Sequence, residues 1–69
     1  MIHVKCKPLK ILMLRLGITG IELSKQVGIT QGYISQILSG KRSPSAPIAK
    51  HILSVLGCEF DDIFEIEVL

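Results

Sequence analysis

The stretch from Gly20 to Ser39 constrains this chain more than any other: two short segments of helical period meet across a single glycine, Gly28. Leu23 and Val27 recur four apart before it, and Ile34, Ile37 and Leu38 recur at helical spacing after it. Only Gly28, Ile29 and Thr30 separate the segments, so the second helix has to turn sharply against the first. Such a turn needs a residue that accepts positive φ, and glycine does so without steric cost. It also needs a small residue where the helices touch, and Ser24 is small. Leu23, Val27, Ile29, Ile34 and Ile37 are then the buried contacts. Thr19-Gly20-Ile21-Glu22 fits a capping box, which predicts a scaffold helix over about 19–27. Thr30 can cap the next helix, over about 30–38, whose outward surface carries Gln31, Tyr33, Ser35 and Gln36.

Gly17, Gly40 and Gly57 punctuate the remaining periodic segments, and the middle of the chain divides into four helices. The first starts at about Pro8, which is tolerated in an opening turn, and buries Leu9, Leu12, Met13 and Leu16 while Lys7, Lys10 and Arg15 stay in solvent. A basic loop from Gly40 to Pro47 leads into the fourth, whose Ile48, Ile52, Leu53, Val55 and Leu56 supply core, and one further turn runs around Phe60 to Phe64. At the extremes the period falls to two: Ile2, Val4 and Cys6 alternate at one end, Phe64, Ile66 and Val68 at the other. Pairing these two strands antiparallel puts Lys5 and Lys7 on the same face as Glu65 and Glu67. At 69 residues, with 48% apolar and 20% charged, the chain is read as one domain over 1–69, too apolar for disorder and too interrupted by charge for a membrane span. No leader pattern opens it, which predicts a cytoplasmic address. Ile11, Leu14, Ile21 and Leu69 exceed the needs of one small core and point to an interface, expected on the fourth and fifth helices with the C-terminal strand.

The run Leu23-Ser24-x-x-Val27-Gly28-Ile29-Thr30-Gln31, then Ile34-Ser35-x-Ile37-x-x-Gly40-Lys41-x-x-Pro44, then Leu56-Gly57, resembles the phage-repressor and Cro-like helix-turn-helix family of the xenobiotic-response-element type, over about Leu9 to Phe64. The resemblance implies a mainly α, five-helix lambda-repressor-like DNA-binding domain, here with a short two-stranded antiparallel sheet from the N- and C-terminal segments. It implies a homodimer on two-fold-related double-stranded DNA, with the third helix reading bases. By matching positions, Gln31 is the first base reader, with Gly32, Tyr33 and Gln36 beside it. Lys41 and Arg42 fall where the family contacts phosphates, and Thr30 and Lys10 are further candidates for that role. Glutamine suits adenine, because its amide accepts from N6 and donates to N7. Two positions depart from the family. Gly20 stands where a glutamine is common at the start of the second helix, and Met13 and Leu38 stand where an arginine and a glutamate often pair. Two apolar residues leave no orphan charge at that pair.

Charge is distributed unevenly: all eight lysines and arginines precede residue 51 against Glu22 alone, and Glu59, Asp61, Asp62, Glu65 and Glu67 follow it. That pattern suits a polyanion-facing body with an acidic end turned away. Cys6 and Cys58 have neither redox nor zinc spacing and read as buried free thiols; a disulfide requires the chain ends to meet. Together these features predict a sequence-specific transcriptional regulator, a prokaryotic or prophage repressor, with no cofactor, metal, membrane or small-molecule ligand. Two other classes compete. An enzyme needs a nucleophile, a base and a dry pocket, and His3, His51, Cys6 and Cys58 form no such constellation. A protein-binding module on the same scaffold, antitoxin-like or anti-repressor, needs an apolar or acidic recognition surface.

Overall fold

The computed structural model describes residues 1–68; Leu69, named above among the surplus apolar residues, lies outside them. The order is β1 (Ile2–Val4), α1 (Cys6–Leu16), α2 (Gly20–Val27), α3 (Gln31–Leu38), α4 (Ala46–Leu56), α5 (Phe60–Ile63) and β2 (Phe64–Ile66). The fold is mainly helical, five helices closed by one two-stranded sheet, as the sequence predicts.

Local chemistry explains where the helices begin. The Thr19 hydroxyl accepts from the Glu22 backbone N–H at 3.1 Å and the Glu22 carboxylate accepts from the Thr19 N–H at 3.3 Å, so the capping box is complete. Thr30 accepts from the Tyr33 N–H at 3.1 Å and Ser45 from the Ile48 N–H at 3.4 Å. Between α2 and α3, Gly28 has φ 83°, and its N–H and that of Ile29 both reach the Ser24 carbonyl, at 2.9 and 3.0 Å. Nothing lies within 4 Å of the place a Gly28 side chain would take. Gly28→Ala is therefore expected to cost backbone strain alone, about 1–2 kcal/mol. Urea unfolding checks this through a lowered midpoint at unchanged slope.

Leu9 and Met13 of α1, Leu23 and Val27 of α2, and Ile34 and Ile37 of α3 meet Ala49, Ile52 and Leu56 of α4 in one buried core, which Ile63 and Phe64 close. Ser24 is buried where α2 packs, and its hydroxyl donates to the Ile21 carbonyl at 2.7 Å, which meets its polar demand inside the helix. Two expectations change. Leu16 is exposed, because the buried stripe of α1 ends at Met13 where Gly17 turns the chain away. In α4, Ala49 takes a core position, while Ile48, Leu53 and Val55 are only half-buried.

The sheet pairs Ile2 with Ile66, His3 with Glu65 and Val4 with Phe64. The Lys5 N–H donates to the Ile63 carbonyl at 2.8 Å and the Glu67 N–H to the Met1 carbonyl at 2.9 Å, extending the ladder at both ends. One of the expected charges does not join the sheet. Lys7 belongs to α1, which begins at Cys6 with Pro8 in its first turn. His3 lies 3.3 Å from the Glu67 carboxylate, and the Lys5 ammonium donates to the Asp61 carbonyl at 2.8 Å. Although the ends meet, Cys6 and Cys58 are free thiols, each half-buried. The exposed large apolar residues are Ile11, Leu14 and Leu16 on α1, Ile21 on α2, and Met1, Ile66 and Val68 at the sheet; among the described residues, none is on α4 or α5. No described helix is long and apolar enough to cross a membrane.

Candidate nucleic-acid interface

With Ile34 and Ile37 fixed in the core, the turn of about 100° per residue sets the rest of α3. Gly32 stands at the centre of the opposite face, in line with Ser39 at the helix end, with Ser35 and Gln36 to either side, and all four are exposed. Gln31 lies on one flank, at the helix N-terminus, and Tyr33 on the other, half-buried. The face carries amide and hydroxyl groups and no charge, a surface suited to the donor and acceptor pattern of a base edge.

On the Gln31 flank, α1, α2 and α3 enclose an open depression of about 480 Å³. Lys10, Thr19, Gln31, Ser35 and Ser39 supply its polar lining, and Gly20, Ile21, Ile34 and Leu38 its apolar lining. Gly20 opens this space. A Cβ there would come 3.3 Å from Leu38 Cδ1, so a long side chain at the start of α2 would crowd the wall beside Gln31. Met13 and Leu38, in place of an ion pair, line a neighbouring apolar hollow with Leu14, Ile18 and the stem of Lys10. No buried side-chain polar atom among the described residues lacks a partner.

On the other flank the chain leaves α3 and folds back. The Gln36 carbonyl accepts from the Lys41 N–H at 2.9 Å and the Arg42 N–H at 3.2 Å, and the buried Pro44 seats the far side of the loop. Gly40 has φ 78°, and a Cβ there would meet Cys6 Sγ at 3.1 Å, so the loop lies directly on the start of α1. This course brings the Arg42 guanidinium carbon 4.2 Å from the centre of the Tyr33 ring.

Of the residues singled out in the sequence, Lys10 and Gln31 come together in the depression, and Tyr33 and Arg42 come together at the loop. Gly32, Gln36 and Lys41 are exposed between or beside these groups. Thr30 caps α3 with its oxygen and retains a hydroxyl proton to donate. Ser35 and Ser39 line the depression and were not among the predicted site residues; Ser35 stands four residues after Gln31, a spacing visible in the sequence.

The acidic residues of the C-terminal third lie elsewhere, with Asp61 and Asp62 in α5 and Glu65 in β2. The Cys58 thiol is pushed above its ordinary pKa, first by burial and then by the carboxylates of Asp62 and Glu59, which keeps it protonated and a poor nucleophile at neutral pH. Among the described residues no three His, Cys, Asp or Glu side chains gather as a metal site requires.

The sequence profile of the helix-turn-helix family matches residues 9–63. The crystal structure of the transcriptional regulator VanUg superimposes with a TM-score of 0.75 over 93% of this chain and 84% of that one, at 25% sequence identity. No curated protein matches the chain.

Proposed function

The chain belongs to the helix-turn-helix family, and from that premise we propose that it is a sequence-specific DNA-binding transcriptional regulator, a cytoplasmic repressor that binds an inverted-repeat operator as a homodimer. One observation carries this reading: the uncharged polar face of α3 is flanked by cations on both sides, Lys10 across the depression and Lys41 and Arg42 on the returning loop. A helix so framed enters a major groove about 12 Å wide with its cations over the two phosphate walls. Gln31 reads an adenine, Gly32 and Gln36 lie against neighbouring base edges, and Lys10, Thr30, Lys41 and Arg42 meet phosphates. VanUg, a transcriptional regulator by name, shares the fold and supports the regulatory assignment.

Two recognition helices about 34 Å apart address successive major grooves, so the operator is an inverted repeat with half-sites roughly one turn apart. The exposed Ile11, Leu14 and Leu16 of α1 and Ile21 of α2, with Met1, Ile66 and Val68 at the sheet, are the large apolar residues available for joining the two copies.

Selection of bound duplexes from a randomised library, followed by sequencing, tests the reading. Enrichment of an inverted repeat is the expected outcome; retention without a motif, or none, sinks it and favours a module that binds protein through the same apolar residues. With the operator in hand, Gln31→Ala is expected to lose about 1–3 kcal/mol of discrimination at one base pair per half-site. Competition binding against operators altered at each position locates that pair. A preference unchanged at every position removes Gln31 from the reading.

A further inference from the structure

Tyr33 and Arg42 were expected to act separately, one on bases and one on phosphate. The geometry joins them. Arg42 is carried to Tyr33 by its backbone, whose N–H is anchored to the Gln36 carbonyl at 3.2 Å, and its guanidinium then lies 4.2 Å from the ring centre. Tyr33 itself packs against the core from the flank of α3. A half-buried ring that packs against the core and carries a guanidinium over one face has that face taken before any base arrives. Arg42, by contrast, keeps its binding capacity. The one ion pair among the described residues is between His3 and Glu67, so Arg42 has no carboxylate partner there. Stacking also occupies the face of the guanidinium while its N–H groups radiate in the plane, where they match a phosphate bidentately.

We propose that Tyr33 is a positioning residue: it holds Arg42 stacked beside the recognition helix, so that the guanidinium meets a DNA phosphate already oriented, and it does not itself read a base. This rests on the DNA-binding reading above. The gain comes from preorganisation, because an arginine side chain free in solvent loses rotamer freedom on binding that a stacked one has already lost.

The test measures operator affinity by fluorescence anisotropy across a salt series for Tyr33→Phe, Tyr33→Leu, Arg42→Leu and the double variant. Tyr33→Phe keeps the ring and is expected to match the unmodified protein. Tyr33→Leu is expected to lose about threefold in affinity, alike on every sequence, and to lose nothing further in the Arg42→Leu background. Arg42→Leu is expected to flatten the salt slope by about one phosphate contact per copy. Arg42→Lys leaves the packing of Tyr33 untouched and serves where Tyr33→Leu does not fold. Its ammonium keeps the charge and loses the planar stack, so affinity falls by about the same threefold while the salt slope holds.

An equal loss from Tyr33→Leu in both backgrounds means a merely structural tyrosine, and a changed base preference in either Tyr33 variant means a base reader; each overturns the proposal. A readout without DNA separates it from its premise. This is the single tyrosine in a chain without tryptophan, and the two phenylalanines belong to α5 and β2, so the stack is expected to shift the Arg42 δ-methylene protons upfield in the NMR spectrum of the free protein, and Tyr33→Leu to abolish that shift. A missing shift sinks the proposal alone, whereas a present shift with no DNA binding sinks the DNA reading and takes the proposal with it.

Discussion

Ile37→Ala is expected to destabilise the domain by about 2–5 kcal/mol, a large share of what a chain this short possesses. Stability of about 0.05–0.15 kcal/mol per residue gives roughly 3–10 kcal/mol over 69 residues. Ile37 has no exposed surface and belongs to a helix of 8 residues. Helices shorter than about 12–15 residues are marginal in water, so α3 exists because Ile34 and Ile37 dock it on the neighbouring helices. Truncating Ile37 removes buried apolar area and leaves a void that α1, α2 and α4, tied to one another through the same core, can only partly close. Urea unfolding followed by circular dichroism reads the loss as a lower midpoint at constant slope. DNA affinity is expected to fall with the folded fraction, alike for all sequences, in contrast to Gln31→Ala. A loss below about 1 kcal/mol would mean that the site collapses freely and that the core is not what holds the recognition helix.

The expected and observed structures agree where the deciding residues are neighbours in sequence. Caps at Thr19 and Thr30 depend on groups three residues away, and the turn at Gly28 depends on one backbone conformation, so each was legible from a few letters. Terminal alternation was sufficient for the sheet as well. Its charge partners were not legible, since His3 meets Glu67 and Lys5 meets a backbone carbonyl at Asp61, choices set by how α5 delivers the last strand. Cys6 and Lys7 suit both an alternating strand and a helical first turn, and the helix claims them because Pro8 is tolerated within its opening turn. Periodicity also overfilled α1. It marks Leu16 as readily as Met13, but only the covered part of the stripe is buried. Ala49 had the opposite fault, a core position with too small a side chain to signal itself. At the interface, the missing side chain at Gly20 was visible, and the depression it opens was not, because that depends on where Leu38 lies. The Tyr33 and Arg42 contact needs the course of a loop that spacing does not specify.

Raising salt from 50 to 200 mM is expected to weaken operator binding about a thousandfold, the largest change predicted for this protein. Lys10, Lys41 and Arg42 are exposed and frame the reading face, which makes three cations per copy and about six phosphate contacts in a dimer. Each neutralised phosphate releases condensed counterions, so the logarithm of affinity falls with the logarithm of salt at a slope of about −0.9 per contact. Six contacts set a slope near −5, and a fourfold rise in salt then costs about three decades. Nothing in this depends on which bases are read, so Gln31→Ala should keep the slope while lowering discrimination. The slope also reports stoichiometry. A single copy engaging one half-site would show about half that value, and a duplex carrying only one half-site provides the comparison in the same series. A slope shallower than about −2 on the full operator would mean that the cations flanking α3 do not lie over the phosphate walls, and the orientation proposed for the recognition helix would fall with them.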